Sequence, residues 1–120
     1  MKNYFALPPF PANLKLMLAE EKIPIEKLAL DMRYSSRKAI YDVLKGRCTP
    51  TVKFVASSAV VLDLDPHAAR CYFRAAGYDL DAETPECKAI RAVIDGPHDD
   101  DHFEAKLDYL ATYGLANKFR

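Results

Sequence analysis

The sequence predicts an all-α protein, and three observations lead there. Apolar residues recur three and four apart, the spacing of one buried helical face, as in Leu14, Met17 and Leu18. Helix openers alternate with helix stoppers: Pro24, Thr49-Pro50, Asp65-Pro66 and Thr84-Pro85 against Gly46, Gly77 and Gly96-Pro97. No segment sustains the apolar–polar alternation of a half-buried strand.

Each element has its own warrant. Pro8, Pro9 and Pro11 make residues 1–11 an extended N-terminal arm. Residues 12–22 form the first helix. Pro24 opens a short second helix that ends near Met32, with Leu28 and Ala29 inward. Ser35 and Ser36 are good N-caps for a third helix stopped by Gly46. Thr49-Pro50, a cap followed by a first-turn proline, starts a fourth helix that reaches about Leu62. Asp65-Pro66 repeats the device for a fifth helix, ended by Gly77. Thr84-Pro85-Glu86 starts a sixth. The acids Asp99–Asp101 suit the positive end of a last helix, whose inward positions are Phe103, Leu107, Leu110 and Leu115.

Composition narrows the class. Half of the 120 residues are hydrophobic and 28% are charged, enough apolar material for one modest core. No run is long enough to span a bilayer. The start, MKNYFALPPFPAN, lacks the apolar core of a signal peptide, so an intracellular, cytoplasmic protein is expected. Cys48, Cys71 and Cys87 are odd in number and widely spaced, and read as reduced thiols packing as small apolar groups.

The zero net charge hides a division. Residues 1–80 carry 12 cations and 8 anions, while residues 81–120 carry 5 and 9. The strongest concentration is RYSSRKAIYDVLKGRCTPTVK, residues 33–53, with six cations and one acid. Asymmetry of this kind hints at a nucleic-acid surface beside an acidic region. On a helical wheel Ala39, Ile40, Val43 and Leu44 share one arc, and Arg37, Lys38, Tyr41, Asp42 and Lys45 share the other. The outer set suits DNA. Arg forks onto guanine, Asp accepts from cytosine, and Lys binds guanine or phosphate. Arg47 and Lys53 extend the basic strip. A charged face is more often only a solvated face; its place after a short helix and a tight turn raises its weight, because a helix-turn-helix puts its second helix in the major groove.

The stretch from Leu14 to Leu80 resembles the Cro/repressor-type, or xenobiotic-response-element-like, helix-turn-helix family. The residues carrying the resemblance are Leu28-Ala29, Ile40, Val43, Gly46, Pro50, Ala59, Leu62, Asp65-Pro66 and Ala76-Gly77-Tyr78. It implies a five-helix, lambda-repressor-like DNA-binding domain over residues 12–80, followed by a two-helix acidic extension over 81–120. It implies base reading by Ser36, Arg37, Lys38, Tyr41 and Asp42. It places phosphate contacts at Ser35, Lys45, Arg47, Thr51 and Lys53. One feature departs from the pattern. Members usually have glycine in the turn, whereas this chain has Met32-Arg33-Tyr34-Ser35, which reads as one residue longer. The angle between the two helices, and which of Ser35, Ser36 or Arg37 first reaches a base, are left open.

The fourth helix is apolar nearly all round: Val52, Val55, Ala56, Ala59 and Leu62 form one stripe, and Phe54 and Val61 lie opposite. A helix of that kind needs cover on two sides. Phe54, Val61, Phe103, Leu107 and Leu110 are the residues expected to supply it, in a homodimer that uses both a second subunit and packing of the extension. A monomer with residues 84–119 folded back is the simpler alternative. His98 and His102 flank three aspartates but form no closed ligand set, so no metal is expected. Ser57-Ser58 reads as close helix packing, and His67 as exposed. No phosphate loop, HExxH or nucleophile motif is present, so neither catalysis nor a cofactor is expected. The leading expectation is a transcriptional regulator that occupies double-stranded DNA. The rival is a protein-interaction module, an antitoxin or an inhibitor of another regulator, docking through its acidic helices.

Overall fold

The computed structural model describes residues 4–5, 9–96 and 103–118. Among them are seven helices and no strand: α1 Phe10–Glu20, α2 Ile25–Asp31, α3 Lys38–Leu44, α4 Val52–Val61, α5 Pro66–Ala75, α6 Pro85–Ile94 and α7 Phe103–Ala111. None of these helices is long and apolar enough to cross a membrane.

The middle helix in the sequence, α4, is also the middle of the packing. This helix lies at the centre, against α2, α5, α6 and α7, while α1 packs on α3 and α6 on α7. Every residue from Phe54 to Val60 is buried. The all-round apolar surface of α4 is therefore covered within one chain, with Phe54, Leu107 and Leu110 buried and Val61 and Phe103 half-buried against the same core. That core runs from Phe5 to Ala116 without a break near residue 80.

Two start signals act as expected. Asp65 accepts from the Ala68 N–H at 2.8 Å and Thr84 from the Cys87 N–H at 3.1 Å, each followed by a first-turn proline. Three expectations are corrected. The N-terminal arm is shorter, because Pro9 is the N-cap of α1 and Pro11 lies in its first turn. Phe5, in that arm, is buried and meets Tyr72 edge to face, with ring centres 4.6 Å apart. α4 starts later than Thr49-Pro50: Thr51 caps it through the Phe54 N–H at 3.1 Å, and the Pro50 carbonyl accepts from the Tyr78 hydroxyl at 2.9 Å. α3 is only seven residues long and has Arg37, not Ser35 or Ser36, at its N-cap position. Ala39 is exposed, so the buried stripe of α3 narrows to Ile40 and Val43, with Leu44 half-buried. The thiols also diverge: Cys71 is buried, Cys48 exposed and Cys87 between the two. His67 is exposed, as expected. His98, Asp99–Asp101 and His102 lie outside the described residues.

Six helices end in the same way. Lys22, Arg33, Gly46, Asp63, Gly77 and Gly114 all have positive φ. Each N–H reaches the carbonyl three residues back, and the next N–H reaches the carbonyl five back, as in Ile23→Leu18 and Tyr34→Ala29, both 2.9 Å. This is the Schellman ending, which satisfies orphan carbonyls and turns the chain sharply. Glycine adopts that conformation freely; Lys22, Arg33 and Asp63 adopt it at an energetic cost.

The turn between α2 and α3 does require positive φ, and Arg33 supplies it at φ 64°. The Arg33 side chain is buried. Its guanidinium meets the Asp108 carboxylate at 2.8 Å and donates to the carbonyls of Glu104 at 3.1 Å and Asn117 at 3.3 Å. Asn117 returns a bond to the Arg33 carbonyl at 3.3 Å. The residue that sets the turn thus also anchors the C-terminal segment. Ser57 adds a buried bond to the Leu115 carbonyl at 2.9 Å.

Candidate nucleic-acid interface

The expected site residues fall on the outer face of α3 and the loop that follows it. Ser35, Ser36, Arg37, Lys38, Tyr41, Lys45, Arg47 and Thr51 are exposed; Asp42 and Lys53 are partly so. Helical spacing explains the arrangement. Ile40 and Val43 point inward, which forces Arg37, Lys38, Tyr41 and Lys45 outward. The cations are not idle. Lys38 pairs with Asp42 at 2.8 Å, one turn on, and Arg47 approaches the same carboxylate at 3.7 Å. The Lys38 hydrogen bond, with Lys38, Arg47 and Lys45 nearby, holds the Asp42 carboxyl below its ordinary range. Arg37 pairs with Glu26 of α2. Hydrogen bonding from its own backbone, then from Arg37, lowers the Glu26 carboxyl in turn. The Tyr41 ring lies 5.8 Å from the Lys45 ammonium and 6.0 Å from the Arg37 guanidinium.

Two assignments change with this geometry. Arg33 leaves the basic strip, because its charge is spent internally on Asp108. The Thr51 hydroxyl oxygen accepts the capping bond from the Phe54 N–H, which leaves only its proton to donate to a phosphate. Ser36 accepts from the Lys38 N–H at 3.3 Å, a local turn bond rather than a helix cap. Glu26 was not legible as part of this face. It lies 11 residues before Arg37, and only the course of the intervening turn brings the two together.

The acidic extension is used in much the same internal way. Arg70 of α5 grips Asp95 with its two terminal guanidinium nitrogens, at 3.0 and 3.1 Å, and reaches Asp81 through Nε at 3.2 Å. Arg91 donates to the carbonyls of Leu80 and Ala82, both at 2.9 Å, and approaches Glu83 at 3.7 Å. Part of the opposite charge of the two halves is therefore complementarity across their own contact.

Comparison with family models, with curated proteins and with solved structures gives no match.

Proposed function

We propose that this chain is a sequence-specific DNA-binding regulator of the helix-turn-helix class. In this reading α1–α5 correspond to the five-helix domain, α3 enters the major groove, and α6 and α7 brace α4 from behind. One observation carries it: the exposed face of α3 with its following loop, where Arg37, Lys38, Lys45 and Arg47 surround Tyr41 and Asp42. Cations at the edges suit phosphate, and forked or acceptor groups at the centre suit base edges. The ion pairs on this face do not argue against it. Exposed pairs contribute roughly 0–1 kcal/mol, so a phosphate or guanine can displace them. The resemblance supports the reading through residue order and spacing alone.

A homodimer on a symmetric site belongs to the same proposal. Its support is the geometry of paired half-sites, since α4 needs no second chain to cover it. Selection from a random duplex pool, followed by anisotropy titration of selected and scrambled duplexes, tests the function. Tighter binding to the selected duplex is expected, and the preference should fall with Arg37→Ala. Failure to retain DNA at low salt would reject the reading. The rival reading, docking of a protein partner, draws on Tyr109 and Tyr113, exposed on and after α7 with ring centres 5.4 Å apart.

A further inference from the structure

A groove of about 320 Å³ lies between α1 and α3. Leu18, Ile23, Ile25 and Leu44 give it an apolar lining, and Tyr41 lines it from α3. Lys15 and Lys45 also line it and are exposed. No carboxylate is among its lining residues. Neither ammonium is in an ion pair among the described residues, although Lys38, Arg37 and Arg47 nearby all are. Apolar surface beside two cations that are in none of these ion pairs is complementary to a ligand with an apolar body and an anionic head. The volume sits at the small end of small-molecule pockets, about 300–1,000 Å³. A docked helix would instead need anchor positions spread over successive turns.

We propose that the α1/α3 groove binds a small amphipathic carboxylate, its tail on Leu18, Ile23, Ile25 and Leu44 and its head at Lys15 and Lys45. The consequence for DNA rests on the function proposed above. Tyr41 and Lys45 belong to both surfaces, so ligand and DNA compete for them, and each weakens the other's binding.

The test uses the full chain, with decanoate as the probe below its micelle concentration, and decanol and decyltrimethylammonium as uncharged and cationic counterparts. Titration by calorimetry and by amide chemical shifts is expected to show one decanoate per chain, with shifts at Ile23, Ile25 and Leu44. Two exposed ion pairs make decanoate bind about tenfold tighter than decanol, and the cation should not bind. Lys15→Gln and Lys45→Gln should each weaken decanoate about threefold and leave decanol unchanged. Ala19, exposed and groove-lining, permits a blocking variant: Ala19→Phe should abolish binding with unchanged melting. Equal affinity for decanoate and decanol, no binding, or indifference to all three variants overturns the site. Decanoate should displace DNA from the wild type but not from Ala19→Phe. Decanoate binding in a protein that retains no DNA upholds the groove and rejects the DNA reading. DNA binding without decanoate binding rejects the groove alone. Binding of both without displacement rejects the competition.

Discussion

Arg33 and Lys22 share one backbone conformation and differ in what their side chains do. Both sit at the left-handed C-terminal position of a helix, with φ of 64° and 57°. Lys22 is exposed, so only the strain counts there. Relieving about 1 kcal/mol of left-handed strain, less the entropy that glycine adds to the unfolded chain, Lys22→Gly should stabilise by about 0.5 kcal/mol. Arg33→Gly relieves the same strain but empties a buried site and strips the Glu104 and Asn117 carbonyls of their donor. Buried groups left unsatisfied cost about 1–3 kcal/mol each, so Arg33→Gly should destabilise by about 2 kcal/mol net. Urea denaturation of the two variants checks both signs, and two stabilising results would remove Arg33's anchoring role. A second buried pair lies at Tyr72 and Ser58. Ser58 has one proton, directed at the Phe54 carbonyl at 2.8 Å, so the Tyr72 hydroxyl donates to the Ser58 oxygen. Burial holds the Tyr72 hydroxyl well above the usual phenol range, so it remains a donor.

At the scale of the element, α3 is a short helix whose outer face is held in a network with α2. Glu26 restrains Arg37 and competes with any anion that approaches it. If Arg37 reads DNA, Glu26→Gln should tighten binding about two- to fivefold, the range expected from removing one exposed ion pair. Arg37→Ala should cost about 1–3 kcal/mol on the preferred duplex and relax selectivity at one base position. Anisotropy titration of both variants on preferred and scrambled duplexes separates the outcomes. Equal losses on both duplexes would make Arg37 a phosphate contact. Unchanged affinity in Glu26→Gln would take Arg37 out of the interface.

At the scale of the whole molecule, the acidic last third packs against the rest of the chain and pairs with its Arg33 and Arg70. The radius of gyration is 13.0 Å, close to the roughly 13.6 Å of a single compact domain of this length. Removing residues after Leu80 deletes α6 and α7, uncovers α4 and strands Arg33 and Arg70. The 1–80 fragment should lose cooperative unfolding, read by circular dichroism in urea; an unchanged midpoint would make the extension dispensable. The Arg70–Asp95 contact adds a pH signature. The Arg70 hydrogen bond holds the Asp95 carboxyl below its ordinary range. A carboxyl depressed on folding contributes stability that is complete above its unfolded value and is lost as pH falls through its folded value. Asp95 is partly exposed, so solvent screening limits Asp95→Asn to about 1 kcal/mol at neutral pH. That difference should shrink below about pH 4, and a difference independent of pH would exclude the ionic account. Salt dependence reports on assembly. If the protein binds DNA as proposed, phosphate contacts by Lys45, Arg47 and Lys53 on one chain should give a slope of log K against log salt near −3, and on two chains about −5. Lys45→Ala should flatten it by about 1 per bound chain, whereas Arg33, spent inside the fold, should not set it.

Local signals determined much of the architecture. The all-helical class, the Asp65 and Thr84 caps and the endings at Gly46 and Gly77 were legible, because each depends on residues within one helical turn; the ending at Gly114, which leaves Leu115 beyond α7, was not. So was the outward placement of Arg37, Lys38, Tyr41 and Lys45, since the burial of Ile40 and Val43 dictates it. The later starts of α3 and α4, at Arg37 and Thr51, were not. Several residues in a row there could have served as caps, and tertiary contacts such as Tyr78 on Pro50 chose among them. Only the tertiary structure decided what the charges do. Arg33 and Asp108 lie 75 residues apart, Arg70 and Asp95 lie 25 apart, and no periodicity links such pairs. The sequence alone determined where positive charge gathers. The fold decided which of it is spent inside the molecule and which still faces solvent, because pairing depends on distance in space and burial, and neither is written along the chain.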